Sequence, residues 1–390
     1  MAENKNFIVL GGGFAGVEAA IKLCRYGYDV TLVSNRDYLF VYPISIWIPV
    51  KKKKFEDVQI PLKKLANVHG FKLIIDNVIK INHSNQTVEL SNQTLEYDYL
   101  FIAMGMHKVY TKGLEHTFSI CGNPEESLVI EEKLDKLVKV GHGKISIGFG
   151  GNPKDKTATA VRGGPAFEII FNISNYLNSK KILNKFELTF FAPMASPGKR
   201  MGEDALKKMP SFFKKYKVKT HFGKKISEFQ QDKIFFEDGS TIESDLTIYI
   251  SGGAGHKVIS ESGLPVNEAG FIKIDEQCRV ENHQNIFAIG DIASLPTFDW
   301  SAKQGHLAEV MADVSTYNVN NEIKGKSERK SYWDKLSVIC LMDSGNGGAL
   351  IKRDDKSNFL LPLPIVGHWL KKAWGFYYIN SKLGKFPNIF

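Results

Sequence analysis

Residues 7–18 read Phe-Ile-Val-Leu-Gly-Gly-Gly-Phe-Ala-Gly-Val-Glu, an apolar run followed by glycines and then by a helical pattern. This order predicts a parallel strand, a tight turn and a helix. Gly11 permits the turn, Gly13 lets the backbone approach a pyrophosphate, and Gly16 lets the helix pack on the strand. The N–H groups at the start of the helix can bind phosphate. We therefore expect a dinucleotide site here.

Two later strands and the end of the second strand refine this prediction. The second strand ends in Ser34 and Asn35 instead of the usual carboxylate, and these neutral groups can still hold a ribose. Residues 97–105 and 285–291 also read as buried strands that end in glycine, and Asp291 can accept a ribityl hydroxyl. Together the segments favour FAD. The expected contacts are Gly11, Gly13, Phe14, Ala15, Gly16, Ser34, Asn35, Ala103, Gly105, Gly290 and Asp291.

Length and composition suit two domains of the α/β class. The chain has 390 residues, of which 43% are hydrophobic, enough for two cores. We expect a discontinuous FAD-binding domain at 1–110 and 245–330, a second Rossmann-like domain at 111–244, and a membrane-associating C-terminal segment at 331–390. The start of the sequence has no signal-peptide pattern, so we expect a cytoplasmic location.

The second domain departs from an intact nucleotide-binding pattern. The glycines at 148–151 are followed by a polar stretch, 154–159, and the helical pattern begins only near Pro165. A pyrophosphate site needs the glycines to open directly onto a helix. The next strand ends in Ala192 and Pro193, without an acid for the adenine ribose. NAD(P)H is therefore not the expected electron donor.

The formal net charge of +9 calls for an anionic partner or another explanation. The sequence has no nucleic-acid-binding motif, and an anionic lipid surface fits better. In the final segment an aromatic-rich stripe at helical spacing has lysines beside it, as in helices that lie in a membrane interface. The alternative is a terminal helix packed on the protein or at a dimer contact. The stripe contains Val366, Trp369, Leu370, Ala373, Trp374, Tyr377 and Tyr378, and the lysines are Lys371, Lys372 and Lys382.

The four cysteines lack the spacing of metal ligands, so we expect no metal site and no disulfide framework. Cys24 is expected to pack within the first helix. Cys278 is expected on a surface strand without a role.

Several segments, in this order, resemble the sulfide:quinone oxidoreductase family and, more distantly, the flavoprotein subunit of flavocytochrome c sulfide dehydrogenase. The resemblance runs nearly end to end. Its segments are 30–43 with Trp47, 119–121, 164–168, 303–305 with Glu309, 338–343, 347–349 and 368–371.

The resemblance implies that electrons pass from sulfide through FAD to a membrane quinone. Cys340 falls on one of the family's two cysteine positions beside the flavin, whereas Arg162 occupies the other. Arginine cannot act as a sulfur nucleophile, although its fixed charge could bind an anionic substrate or stabilise a reduced flavin. Cys121 matches a third, more distant cysteine, and Glu168 matches a proton carrier. The alternatives are a buried structural cysteine at 340 and a salt-bridged acid at 168.

The resemblance also implies further contacts and partners. Lys303 would lie at the flavin pyrimidine, and Pro43 is a candidate contact of both FAD and the quinone. The candidate quinone-binding residues are Trp47, Leu341, Trp374 and Tyr378. We expect a peripheral membrane protein on the cytoplasmic side of a bacterial inner membrane, with a small sulfur substrate and a possible homo-oligomer. The alternatives are a type II NADH:quinone oxidoreductase, or a flavin-binding sensor without turnover.

Overall fold

The computed structural model describes residues 5–156, 158–295 and 300–387. The helices are α1 (Phe14–Arg25), α2 (Tyr42–Ser45), α3 (Leu62–His69), α4 (Glu126–Val140), α5 (Gly163–Ser179), α6 (Glu203–Lys215), α7 (Lys257–Glu261), α8 (Gly305–Ile323) and α9 (Val366–Lys382). The strands are β1 (Asn6–Leu10), β2 (Asp29–Ser34), β3 (Tyr38–Phe40), β4 (Gln59–Pro61), β5 (Lys72–Ile75), β6 (Val78–Asn82), β7 (Thr87–Leu90), β8 (Thr94–Glu96), β9 (Tyr99–Ile102), β10 (His107–Lys108), β11 (Gly143–Phe149), β12 (Phe186–Ala192), β13 (Val218–Phe222), β14 (Ile226–Phe229), β15 (Lys233–Phe236), β16 (Thr241–Glu243), β17 (Leu246–Ile250), β18 (Gly253–Ala254), β19 (Ile286–Ala288), β20 (Val338–Asp343), β21 (Gly347–Arg353) and β22 (Asn358–Pro364).

A parallel sheet surrounds β1 in the order β19-β9-β1-β2-β5. The last four residues of β1, Phe7 to Leu10, are fully buried, because helices cover a parallel sheet on its faces. Helices α1 and α8 pack against each other. Strand β19 comes from late in the chain and pairs with β9, so the first sheet is completed only by a distant segment.

A second parallel sheet has the order β13-β12-β11-β17. Ile145 of β11 pairs with Leu246 of β17, so residues 246–250 belong to this sheet. The predicted return to the FAD-binding domain at residue 245 is therefore too early, because the buried strand β17 pairs with β11 at the edge of the second sheet. The outermost positions of the predicted boundaries, 1 and 390, lie outside the described residues. The α/β class is confirmed.

A small antiparallel sheet, β20-β21-β22, precedes α9 and packs against α5, α6 and α9. Its outer strand β22 is bound to α6, since the Leu360 amide donates to Asp204 (2.8 Å) and Lys208 donates to the Leu360 carbonyl oxygen (2.7 Å). Antiparallel meanders β6-β7-β8 and β14-β15-β16 complete the two larger units. The C-terminal sheet thus places β20 and α9 next to the start of α5.

Candidate functional site

The turn between β1 and α1 has the close contacts that its glycines predict. Gly11 has φ +116°, and a Cβ there would lie 2.3 Å from the Ala103 carbonyl oxygen. A Cβ at Gly16 would lie 1.9 Å from the Gly11 carbonyl oxygen, so both positions require glycine. At Gly13 no described atom beyond the chain neighbours lies within 4 Å of such a Cβ, and no side chain caps α1. The turn leaves room for a phosphate beside the N–H groups of Phe14 and the residues after it.

The end of β2 is organised around Ser34. Its buried hydroxyl donates to the Arg36 carbonyl oxygen (2.7 Å) and accepts from the Arg36 amide (3.2 Å). Ser34 therefore stabilises its own loop, while Asn35 is exposed. Ribose binding by either residue stays a prediction.

The carboxyl ends of β9 and β19 lie beside the turn. Gly105 and Gly290 have φ values of +74° and +72°, a conformation that favours glycine. A Cβ at Gly290 would lie 3.0 Å from the Ala15 Cβ, so the late segment reaches the first turn of α1. Ligands of open α/β sheets bind at such carboxyl ends. The geometry of these residues therefore fits a dinucleotide of the FAD type.

Arg162, at the N-terminus of α5, connects this region with the predicted catalytic residues. Its guanidinium forms a half-buried ion pair with Asp291. Burial raises the pKa of the Cys121 thiol, and the Arg162 charge only partly offsets that effect. The Tyr42 hydroxyl donates to the Gly122 carbonyl oxygen (2.7 Å) and closes the same region. Three predicted site residues, Arg162, Asp291 and Cys121, therefore meet.

Lys303 is buried, and its ammonium donates to the Ala293 carbonyl oxygen. It also lies 4.0 Å from the centre of the Phe271 ring. Burial lowers the pKa of Lys303 to about 7, although the Asp155 carboxylate opposes that change. In this position the side chain stabilises the backbone at Ala293, three residues after Gly290. The contact of Lys303 with a flavin stays a prediction.

Glu168 and Lys371 form a fully buried ion pair between α5 and α9. The same Glu168 oxygen, Oε1, accepts from the Asp343 amide at 2.6 Å. Burial raises the pKa of Glu168, with the Lys371 charge opposing. An ion pair away from water needs such additional hydrogen bonds to be stable. The acid is thus held in place by β20 and α9 together.

Asp343 continues this polar cluster toward α2. Its Oδ2 lies 2.7 Å from His368 Nδ1, and its Oδ1 accepts from Trp47 Nε1 at 2.9 Å. These hydrogen bonds outweigh burial and lower the pKa of Asp343. Trp47 is fully buried and meets the His368 ring edge-on at 5.4 Å. Trp47 therefore positions Asp343 and His368, and a role in contacting quinone would require this packing to open.

Cys340 lies in β20 at the edge of the same cluster and is partly exposed. Burial of its sulfur, followed by the charge of Glu168, raises the pKa of Cys340 to about 12. Both candidate cysteines therefore carry thiols at neutral pH. A thiol here can become a nucleophile only by giving its proton to a neighbour. Leu341 is half-buried beside it and pairs with Leu350 across the sheet.

Helix α9 differs from the prediction in how its faces are used. Lys371 and Lys382 are buried and do not flank a membrane stripe, because each pairs with a buried carboxylate. Tyr378 is also buried, and its ring stacks on Trp374 at 5.2 Å. The exposed residues form an apolar outer face instead. This outer face consists of Val366, Trp369, Leu370, Ala373 and Phe376.

Several residues of the site belong to no recognisable sequence motif. Asp343 and His368 lie in quoted segments but have no motif of their own, and Glu18 reads as part of an amphipathic helix. The sequence alone does not predict that these charged side chains are buried, because their partners are distant in the chain. Cys278, predicted on the surface, is fully buried. Among the described residues, none of the helices combines the length and the apolar character that crossing a membrane requires.

Comparisons with known proteins agree with this geometry. The family model described as pyridine nucleotide-disulphide oxidoreductase matches residues 5–312. The sulfide-quinone reductase of Aquifex aeolicus is 26% identical over 410 residues, covering 96% of this chain and 90% of that protein. A crystal structure of the Aquifex aeolicus sulfide:quinone oxidoreductase superposes with a TM-score of 0.86 at 22% identity, covering 98% and 92% of the two chains.

A structure of NDH2 from Plasmodium falciparum in complex with NADH superposes with a TM-score of 0.73 at 16% identity, covering 100% of both chains. The fold is thus shared with both of these proteins. The resemblance to sulfide:quinone oxidoreductases is confirmed, and FAD is the cofactor that these relatives imply. The chain belongs to the pyridine nucleotide-disulphide oxidoreductase family.

Proposed function

We propose that this flavoprotein oxidises sulfide, or another reduced sulfur compound, and passes the electrons to a membrane quinone. The main support is the position of Cys340 beside the buried Glu168–Lys371 pair, under a helix whose outer face is apolar. A cysteine and a buried acid thus lie on the inner side of α9, and a surface suited to a lipid-soluble acceptor lies on its outer side. The relatives in the sulfide-quinone reductase group support the same substrates.

FAD, when bound, supplies the two-electron redox chemistry. The glycine turn, Gly290 and Asp291 would hold it, with Arg162 adding a positive charge nearby. Oxidation of hydrogen sulfide together with the Cys340 thiol to a persulfide releases two electrons and two protons. Reduction of the quinone to the quinol consumes the same number of each. Two protons must therefore leave the cysteine and two must reach the quinone, and Glu168 is our candidate for the group that carries protons between the site and solvent.

The apolar outer face of α9 supports peripheral attachment to a membrane. Trp369 and Phe376 are 63% and 64% exposed, although such residues are normally buried. The Lys372 ammonium lies 4.8 Å from the centre of the Trp369 ring. Burial lowers the pKa of Lys52, and the charge of Lys372 adds to that effect. An aromatic face with lysines at its edge suits a surface of anionic lipid.

A type II NADH:quinone oxidoreductase is the first alternative, and the NDH2 fold similarity favours it. Residues 150–162 argue against it, because they separate β11 from α5 where a nucleotide-binding turn should connect them directly. A Cβ at Gly150 would lie 1.9 Å from the Tyr249 hydroxyl oxygen, so this tyrosine crowds the glycine loop. A flavin-binding sensor that does not reduce quinone is the second alternative.

The test is anaerobic addition of sulfide to the FAD-loaded protein while the flavin absorbance is followed, then addition of decylubiquinone. We expect bleaching that quinone reverses and that Cys340→Ser abolishes. Cys24→Ser, in a half-buried cysteine of α1, is the matched control and should behave like the wild type. A flavin that ignores sulfide but is bleached by NADH would favour the first alternative. Bleaching by sulfide without reoxidation by quinone would favour the second.

A further inference from the structure

Helix α9 is attached to both dinucleotide-binding units by buried lysines on its inner side. Lys371 pairs with Glu168 of α5, and Lys382 pairs with Glu18 of α1. All four side chains are almost completely buried. The two lysines are about three helical turns apart, or roughly 16 Å along the axis. Helix α9 therefore spans from α5, which packs on the second parallel sheet, to α1, which packs on the first.

The contact with α1 is made by two matched pairs. Phe14 and Glu18 are one turn apart on α1, as are Tyr378 and Lys382 on α9. The Tyr378 ring stacks on Phe14 with 5.1 Å between ring centres, and the Lys382 ammonium pairs with Glu18. Helix α8 adds Glu309, which accepts from the Tyr378 hydroxyl at 3.1 Å and lies 2.7 Å from the Lys382 ammonium.

The charges in this cluster depend on one another. Burial would raise the pKa of Glu18, but Lys382 and then Lys22 outweigh it and lower that pKa. Burial would lower the pKa of Lys382, but Glu309 and Glu18 outweigh it and raise that pKa. Lys382 therefore stays charged between two carboxylates. Moving α9 away would leave those acids without their main cation, which is costly in a buried site.

This cluster adjoins the phosphate-binding turn. Phe14, which stacks on Tyr378, directly follows Gly13 and begins α1. Phe14 also lies against the start of α8, since a Cβ at Gly305 would be 3.2 Å from its ring. The position of α9 thus affects the helix ends that face the dinucleotide. The opposite side of the same helix is the apolar outer face.

We propose that α9 couples dinucleotide retention to the binding of an anionic lipid surface, so that each ligand makes the other bind more tightly. A membrane that binds the outer face favours the docked helix, and so does FAD when it is held by the turn behind Phe14. Coupling of this kind is reciprocal. The proposal rests on the FAD and membrane parts of the proposed function and is independent of the sulfur donor.

The experiment measures FAD release from the intact holoprotein as the recovery of free-flavin fluorescence. Vesicles of phosphatidylcholine with phosphatidylglycerol are compared with buffer alone, and vesicle binding is followed by flotation. We expect the anionic vesicles to slow release roughly fivefold or more, within the usual range of coupling between sites. Wild-type protein that floats with vesicles but releases FAD at an unchanged rate would overturn the coupling.

Variants test whether the coupling depends on the cluster that Lys382 forms with Glu18, Glu309 and Tyr378. Lys382→Met should release FAD faster and make release insensitive to vesicles, whereas Lys382→Arg should retain most of the effect. Tyr378→Phe keeps the ring stack but loses the hydrogen bond to Glu309, so it should give an intermediate result. Lys385→Met, in an exposed lysine beyond α9, should match the wild type. If Lys382→Met kept the vesicle effect, the cluster would not be the link.

These outcomes separate the possible failures. Protein that does not float with anionic vesicles refutes both the coupling and the membrane part of the proposed function. Sulfide-dependent bleaching is measured independently, so its absence would leave the FAD-release result intact and would refute only the sulfur donor.

Discussion

Replacing Lys371 with methionine should destabilise the protein in a pH-dependent way. The change removes the ammonium from Glu168 and keeps a side chain of similar length, so the acid stays buried beside Asp343. Removing one partner of a buried ion pair typically costs about 3–5 kcal/mol of unfolding free energy. We expect a loss near the top of that range at pH 8, since the Glu168 carboxylate would then lack its cation.

The loss should shrink at lower pH. Burial already raises the pKa of Glu168 with Lys371 present, and without that charge the pKa rises further. A carboxyl with a higher pKa in the folded state binds more protons when folded, so stability falls as pH rises above about 4.3, the usual value for unfolded glutamate. The slope approaches about 1.4 kcal/mol per pH unit until the folded-state pKa is passed. The variant should therefore be closer to the wild type at pH 5.5 than at pH 8.

Urea unfolding followed by tryptophan fluorescence measures this difference. The adjacent Lys372→Met is the control, because the Lys372 ammonium lies over the Trp369 ring and outside the buried cluster. The double variant Glu168→Gln with Lys371→Met removes both charges and should recover most of the stability. A Lys371→Met loss that equals the Lys372→Met loss, or that is the same at both pH values, would refute the argument.

Three further predictions concern the other parts of the site. Gly16→Ala should abolish FAD binding or folding, because its Cβ would lie 1.9 Å from a backbone carbonyl oxygen. Gly13→Ala should fold but bind less flavin, and the flavin-to-protein absorbance ratio distinguishes the two variants. Alkylation of Cys340 by iodoacetamide, read by mass spectrometry, should still accelerate up to pH 10 because its pKa is raised to about 12; a plateau near pH 9 would contradict this. Trp369→Ser should weaken flotation with anionic vesicles, whereas Trp333→Ser, at an exposed tryptophan outside α9, should not.

The local parts of the fold could be predicted because their causes are local. The glycine turn is defined within ten residues, and the contacts of Gly11 and Gly16 follow from its tightness. The predicted domain boundary places β17 in the wrong unit, since a buried strand contains no information about which parallel neighbour it joins.

The lysines of α9 show the limit of the sequence for the site. The sequence pattern predicts Lys371 and Lys382 at the flanks of a membrane stripe, because lysines on a helix are usually exposed. Their partners, Glu168 and Glu18, lie 203 and 364 residues away in the chain. Periodicity reveals that α9 has two different faces, but it cannot reveal that the charged side faces inward.

The bond between Lys382 and Glu18 also bears on how the protein is made. At about 5–20 residues per second, the ribosome adds Lys382 roughly 20–70 s after Glu18. Until Lys382 has been made, the Glu18 carboxylate lacks its partner in α9. Until β19 has been made, β9 lacks its neighbour at that edge of the sheet. The first unit therefore completes its packing only after β19 and α9 have been made.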